Sequence, residues 1–321
     1  MNGLQLIATG GALPGRTITN DALSRMVDTS DAWITSRTGI RTRHWCTEDE
    51  SAATLAIAAA RQALDRSGLA PADIACCVCA TLSAPDATPS VACQVQAALG
   101  LPENRPALDI NAACSGFLYG MAVARGMLTT LGGQYALVIG CEALSRLMDP
   151  TDRSTCVLFG DGAGAAVVEC RAGWPSISAQ LGCTGNDQIL RIPGARLEEP
   201  PLIAMDGRGV FRFAVETVPR CVKQVLQQRG YTVDEIDCFV FHQANARITD
   251  LAAHKLGIPP EKYYKNIDHY GNTSAASIPL VLSELQDLGR IGPGSRVLAV
   301  GFGGGLTWGG ALLEFEKRRP L

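Results

Sequence analysis

Short apolar runs alternate along this chain with longer stretches of helical period. Apolar runs of about four to eight residues bounded by turn residues predict strands, and apolar positions at i, i+3, i+4 and i+7 predict helices. Strands are expected at 4–9, 74–81, 107–110, 135–141 and 164–169, with helices at 20–27, 51–67, 89–99 and 114–130. The alternation resumes with strands at 176–181, 237–241, 263–267, 296–300 and 309–315 and helices at 209–229, 245–256 and 273–288. Ser51 is an N-cap candidate and Gly68 a stop for the helix between them, and Pro89 opens the next helix where a missing N–H is tolerated. Such alternation predicts an α/β protein with largely parallel sheets.

The pattern is also written twice. Leu64–Gly68, Asp73-Ile74 and an apolar run through Cys79 match Leu226–Gly230, Glu235-Ile236 and an apolar run through Phe241. Leu99–Pro102 matches Leu256–Pro259, Ala112–Ser115 matches Tyr270–Thr273, and Ala136–Gly140 matches Val297–Gly301. Order is kept and the offset stays between 157 and 162 positions. Two long units argue against a solenoid. They predict two similar α/β halves, 1–170 and 171–321, facing each other across a pseudo-two-fold axis. In this registration Cys114 and Asn272 are counterparts, so a thiol and a carboxamide would meet in one cleft. Trp33–Cys46 has no counterpart, and a proline-containing loop, Cys183–Leu202, joins the second half's first strand to its helix. No flexible linker separates the halves, so one shared packed interface is expected.

Composition narrows the partners more than the fold. The 321 residues are 47% hydrophobic and 18% charged, enough for a sizeable core. The net charge of −3 argues against nucleic acid as the main partner, and the longest like-charge block, Lys317-Arg318-Arg319, reads as a solvated tail. The N-terminus reads as a strand and not as a signal peptide, and no apolar run approaches the ~18 residues of a membrane span, so a cytoplasmic protein is expected. The 12 cysteines are then expected as thiols. Cys76 and Cys79 have C-x-x-C spacing but lie in an apolar run; residues three apart on a strand face opposite ways, and no second pair follows at zinc-site spacing. No metal site is expected.

Three residues sit where α/β sheets place chemistry, between the end of a strand and the start of a helix. Cys114 follows an apolar run and precedes the helical Phe117–Leu128, where free N–H groups and the helix dipole stabilise a thiolate; Gly116 would allow close packing. Otherwise it is a buried core thiol like Cys93 or Cys141. His242 follows Phe239-Val-Phe241; a lone histidine there is structural or catalytic. Asn272 is an N-cap or turn residue unless its registration with Cys114 matters. The glycine segments 159–166 and 301–309 do not complete G-x-G-x-x-G, because Val167 and Leu306 interrupt it, so dinucleotide binding is not expected. They read as tight turns into strands, one of which could aim backbone N–H groups at a substrate oxygen.

Taken together, these segments resemble the β-ketoacyl-acyl-carrier-protein synthase III family of the thiolase-like superfamily. The resemblance runs end to end. It is carried by Val27–Ile34, Arg37–Arg41, Ala112-Ala-Cys-Ser-Gly116, Asp149–Arg153, Phe159–Gly164, His242-Gln-Ala-Asn245, Tyr270–Ser277 and Gly303–Gly309. It implies a five-layered αβαβα fold and a Cys-His-Asn triad of Cys114, His242 and Asn272. The implied reaction is a decarboxylating Claisen condensation of an acyl-CoA with malonyl-acyl-carrier-protein (malonyl-ACP), in the cytoplasm, by a homodimer without metal or redox cofactor. Gly304 and Cys114 would supply oxyanion N–H groups, and Phe302 would stand near the malonyl carboxylate. CoA binding would use Trp33 and Arg153 as a sandwich around the adenine, with Thr29 and Arg37 near the nucleotide. Gly207, Phe211, Ala244 and Asn245 would line the pantetheine tunnel, where Arg208 replaces a familiar asparagine. Arg212, Arg247 and Lys255 would meet the acidic carrier protein; read by themselves they are a solvated helix face.

One residue departs from the family pattern. Thr88 stands where acetyl-specific members place a phenylalanine that closes the partner subunit's acyl pocket, so longer acyl chains are expected. The same triad would also serve a relative in secondary metabolism that uses another acceptor. A non-catalytic acyl-binding subunit is a third reading, which the intact Cys-His-Asn set opposes.

Overall fold

A computed structural model of the chain describes residues 2–173, 178–194 and 199–315. Lys317-Arg318-Arg319 and the first two residues of the strand expected at 176–181 lie outside the described residues.

Two sheets are built to one plan. The first has the order Asn2–Ala12, Gly162–Ala172, Tyr135–Glu142, Ile74–Ala80, Ala107–Ile110. Its first two pairings are antiparallel and its last two parallel. The second has the order Ser178–Asn186, Gly305–Glu314, Arg296–Gly303, Cys238–Phe241, again antiparallel twice and then parallel. Its fifth position is only a parallel bridge between Phe239 and Tyr263. The strand expected at 263–267 is thus cut to one pair. The Asn266 N–H turns to the Gln243 side chain at 3.3 Å, and Ile267–Tyr270 is helical.

Buried side chains sort into five layers. Between the sheets, helices Gly116–Leu131 and Ser277–Asp287 pack Phe117, Met121, Ile278 and Val281 against Val78 and Val138 of one sheet and Val240 and Val297 of the other. This is the shared interface expected from the missing linker. Helices Ala52–Ser67 and Val91–Leu99 cover the outer face of the first sheet, and Gly207–Arg229 and Ala246–Leu256 that of the second. The all-buried strand Ile74–Ala80 shows the pleat directly: Cys76 and Val78 join the inner cluster, Cys77 and Cys79 the outer one. Cys76 and Cys79 therefore face apart. Cys93, expected buried, is exposed. Among the described residues no group of His, Cys, Asp or Glu could hold a metal, and no helix is long and apolar enough to cross a membrane.

Local signals explain most element ends. Ser51 and Thr54 form a capping box, and Gly68, at φ 72°, closes their helix. Ser90 caps the helix that begins at Val91, two residues later than expected. The helix expected at 20–27 stops at Leu23. Trp33–Cys46 has elements of its own, helix Asp31–Thr38 and strand Thr42–Trp45, the latter paired with Arg16–Thr19. Within the loop 183–202, Leu190–Arg191 pairs with Ala204–Met205.

The helices expected at 114 and 273 both start late, after the single turns Ala113–Ser115 and Ser274–Ala276. Ala113 (φ 45°) and Ser274 (φ 48°) are the non-glycine residues in the left-handed region among the described residues. Asn111 Oδ1 accepts from the Ala113 N–H at 3.1 Å, and Asn272 Oδ1 accepts from the Ser274 N–H at 3.0 Å. These are the same elbow built twice, 161 positions apart (274 − 113). The counterpart of Cys114 is therefore Ala275, and that of Asn272 is Asn111. Matching Ala112–Ser115 with Tyr270–Thr273 misplaces the registration by three, because the left-handed residue sets it.

Each elbow presses on a strand of the opposite half through a glycine. A Cβ on Gly140 would lie 2.1 Å from the Ala275 carbonyl oxygen, and one on Gly301 3.1 Å from that of Cys114. By contrast, a Cβ on Gly126, exposed on helix Gly116–Leu131, would meet nothing within 4 Å. Gly140→Ala is expected to destabilise by about 3 kcal/mol or more, and Gly126→Ala to stabilise by about 0.5–1 kcal/mol. Urea unfolding of the two variants checks the contrast; a Gly140→Ala midpoint equal to that of the parent would contradict the close approach.

Candidate active site

Cys114 stands on the first elbow, in the wall of a cavity of about 600 Å³. Leu144, Leu147, Leu190, Ile192 and Ile203 make much of that wall apolar, while Ser274, Gly304 and Thr307 share the thiol end. A Cβ on Gly303 would lie 3.1 Å from the Cys114 sulfur, and one on Gly116 2.9 Å from the Ala80 Cβ, so glycines let the elbow seat. Thr307 Oγ1 donates to the Ala112 carbonyl at 2.8 Å and accepts from Ser115 Oγ at 2.8 Å, tying the elbow to the second half.

Electrostatically the thiol is not what a helix start suggests. Burial pushes Cys114 up to about 12; a hydrogen bond with Ser274 works the other way, and the nearby Glu142 charge adds to the rise. Burial thus opposes the thiolate that a helix start would favour.

His242 follows the strand Cys238–Phe241 and is 2% exposed. Its N–H donates to the Val300 carbonyl at 2.8 Å, and its ring meets Phe302 edge to face at 5.2 Å. Burial pushes it down to about 3, so the imidazole is neutral, and its buried Nδ1 has no hydrogen-bond partner among the described residues. Asn272 is held between Leu158 and Gly160 by backbone bonds of 2.9 and 3.0 Å. Its Oδ1 is taken by the Ser274 N–H, which leaves the amide NH2 as the group to offer. Cys114 and Ser274 share a wall and a hydrogen bond, and Asn272 lies two residues before Ser274. His242 reaches the same place through Phe302 and its neighbour Gly303.

The outer residues fall in two groups. Arg153 stacks on Trp33 at 5.0 Å with Arg37 at 5.9 Å, so the sandwich pair lie directly on each other. Thr29 Oγ1 is buried with no hydrogen-bond partner among the described residues. Asn245 caps helix Ala246–Leu256 and donates to the Arg37 carbonyl at 3.1 Å, beside Ala244. Gly207 and Arg208 begin helix Gly207–Arg229, whose Phe211 carries Arg247 at 6.0 Å over its ring. Arg212 and Lys255 are exposed nearby, Lys255 donating to the Val215 carbonyl at 3.1 Å. Thr88 is exposed and does not line the Cys114 cavity of its own chain.

Comparison with known proteins settles the family. Residues 108–185 match the model of 3-oxoacyl-[acyl-carrier-protein] synthase III, and residues 226–315 match that of its C-terminal region. A beta-ketoacyl-[acyl-carrier-protein] synthase III of Clostridium acetobutylicum is 41% identical over 99% of this chain and 100% of its own length. The crystal structure of 3-oxoacyl-[acyl-carrier-protein] synthase III from Aquifex aeolicus covers 98% of this chain and 100% of its own at 41% identity, with a TM-score of 0.91. The priming β-ketosynthase of the R1128 polyketide pathway covers 99% of this chain and 97% of its own at 33% identity, with a TM-score of 0.93. The chain belongs to the 3-oxoacyl-[acyl-carrier-protein] synthase III family. It is thus a condensing acyltransferase on the thiolase-like fold.

Sequence reading of this synthase missed Ser83, Glu142 and Ser274. Glu142 ends the strand Tyr135–Glu142 fully buried, and burial pushes its carboxyl up to about 7. The available signal was a charge directly after the apolar run 136–141, at the carboxyl end of a parallel strand.

The buried groups give the synthase a definite acid response. An unfolded histidine binds its proton near pH 6.5 but folded His242 only near 3, so between these values the unfolded state holds more protons and stability falls as pH falls. Glu142 acts oppositely between pH 4.5 and about 7. His242→Gln should therefore flatten the loss of stability between pH 6 and 4 by up to about 1.4 kcal/mol per pH unit. Denaturant unfolding at several pH values measures the slope; an unchanged slope would refute the buried neutral imidazole.

Proposed function

We propose that Cys114, His242 and Asn272 carry out the decarboxylating condensation of an acyl-CoA primer with malonyl-ACP. The observation that carries this reading is the elbow thiol in the wall of a largely apolar cavity, with Asn272 two residues before the wall residue Ser274 and a neutral His242 linked to the thiol through Phe302 and Gly303. In the first half-reaction the Cys114 sulfur attacks the acyl thioester and CoA leaves. The N–H groups of Cys114 and Gly304 receive the oxyanion. In the second, neutral His242 and the Asn272 amide donate hydrogen bonds to the malonyl thioester oxygen as CO2 departs and enolate charge develops. The carbanion then takes the acyl group from Cys114. Phe302, edge-on to His242, provides an apolar surface that favours loss of the carboxylate.

The same reading assigns the outer residues. Trp33, Arg37, Arg153 and Thr29 take the CoA nucleotide, the orphaned Thr29 hydroxyl supporting this most directly. Gly207, Phe211, Ala244 and Asn245 line the pantetheine path, and Arg212, Arg247 and Lys255 receive the acidic carrier protein. Thr88 belongs to a partner's acyl pocket in a cytoplasmic homodimer, a placement its exposure permits. The halves, expected to divide at 170/171, are better divided just after the strand Gly162–Ala172, which belongs whole to the first sheet.

Intact-protein mass of Cys114 after exposure to acyl-CoA tests the reading. A gain of one acyl group is expected in the parent and none in Cys114→Ala. His242→Ala and Asn272→Ala should lower malonyl decarboxylation by roughly 100-fold while sparing acylation. Normal decarboxylation in either variant would contradict the division of labour.

The expectation of a primer longer than acetyl rests on Thr88, and the apolar wall that Leu144, Leu147, Leu190, Ile192 and Ile203 give the Cys114 cavity suits an alkyl chain. Each further buried methylene contributes about 0.8 kcal/mol, roughly fourfold in affinity. Hexanoyl- and decanoyl-CoA are expected to exceed acetyl-CoA in kcat/KM, with the order reversed by Thr88→Phe. A parent preference for acetyl-CoA that survives the aromatic substitution would show that Thr88 does not set the pocket.

A further inference from the structure

The mechanism above leaves the Cys114 proton without a destination. A thiol pushed up to about 12 must lose it as the sulfur attacks, and a neutral imidazole pushed down to about 3 is a poor acceptor. The second elbow offers another route. Ser274 hydrogen-bonds the Cys114 thiol, and its hydroxyl donates to Glu142 Oε1 at 3.1 Å. The direction is set by the far side of the carboxyl. There Ser83 Oγ, already accepting from the Ala143 N–H at 2.8 Å, donates to Glu142 Oε2 at 2.5 Å, and the Leu82 N–H donates at 3.2 Å. With its own proton given to Glu142, Ser274 Oγ has lone pairs free to accept from the thiol.

The surroundings of Glu142 keep it exchangeable. Its contacts are the Thr81, Ser83 and Ser274 hydroxyls and the Leu82 and Ala275 amides, and the titratable group facing it is Cys114. Neutral donors offset its burial only in part, which leaves the carboxyl near 7, the range in which an acid–base group works at neutral pH.

We propose that Glu142 takes up the Cys114 proton through the Ser274 hydroxyl during acylation and returns it when the product leaves. This rests on Cys114 being the nucleophile. In the first half-reaction the sulfur–carbonyl bond forms as the thiol proton passes to Ser274 Oγ and the Ser274 proton passes to Glu142. The bond to CoA breaks, and its thiolate takes a proton from solvent. In the second, the carbanion displaces the Cys114 thiolate, which recovers the stored proton by the reverse path. The cycle consumes one proton from solvent, the number that loss of CO2 from a malonyl carboxylate requires. Glu142 touches no substrate; it acts through Ser274.

The test is rapid-quench mass measurement of Cys114 acylation by hexanoyl-CoA between pH 5.5 and 8.5, alongside CO2 release from malonyl-ACP without primer. The parent rate should rise with pH near neutrality as Glu142 ionises. Glu142→Gln and Ser274→Ala should acylate about 100-fold more slowly and lose that rise, Glu142→Asp should keep it, and CO2 release should stay within about threefold of the parent. Ser274→Ala decides the matter if Glu142→Gln does not fold, since Ala113 shows that alanine accepts the same backbone. Acylation in Glu142→Gln at the parent rate and pH profile would overturn the relay, as would equal loss of both half-reactions in every variant. A parent chain not acylated at Cys114 would overturn the nucleophile assignment as well; with the parent acylated, failure falls on the relay alone.

Discussion

Two places where backbone touches backbone across the pseudo-two-fold govern the molecule: Gly140 under the Ala275 carbonyl and Gly301 under that of Cys114. A side chain at either glycine would lift an elbow off the opposite sheet. With the elbows down, the central helices Gly116–Leu131 and Ser277–Asp287 fill the space between the sheets, and their first turns lie against each other. The cavity, the thiol and the amide of Asn272 are placed by this contact. The left-handed residues Ala113 and Ser274 are strained positions that the packing on both sides holds in place.

The same contact makes the site dry, and dryness treats every ionisable group there alike. It raises Cys114, raises Glu142 and lowers His242, so each is pushed toward its neutral form. At neutral pH Cys114 and His242 are then uncharged while Glu142 sits in its titration range. The oxyanion and enolate charge that develops along the reaction meets fixed donors that need little rearrangement.

Much of this was legible in the sequence, and the failures have physical causes. The apolar runs located every strand of both main sheets, because buried strands leave a continuous signal. The five-layer order was implied by the family resemblance that motifs spread along the chain carry. The strand at 263–267 failed because Phe239-Tyr263 pairing ends where side chains satisfy the backbone instead. The small elements of Trp33–Cys46 were missed because short helices held by polar caps show little periodicity; the buried Arg43, donating to Val157 at 2.7 Å and Asn20 at 2.8 Å, would not be sought in a core. The counterpart of Cys114 was misread because a left-handed φ at alanine or serine has no composition signature. Glu142 escaped notice because its partners, Ser83 and Ser274, are distant in sequence.

The order of the strands constrains how the chain can be made. The edge strand Asn2–Ala12 pairs with Gly162–Ala172, so it has no neighbour in its sheet until that distant strand has been made. Leu6 is later bridged by Phe315, near the other end. The inner layer cannot close before Ser277–Asp287 emerges, and until then the apolar face of the first sheet and of helix Gly116–Leu131 stays open. A nascent chain of this architecture therefore exposes its largest sticky surface late in translation. Its yield in a cell depends on whatever shields that surface, such as a holdase or the ribosome itself, as much as on the stability of the finished fold.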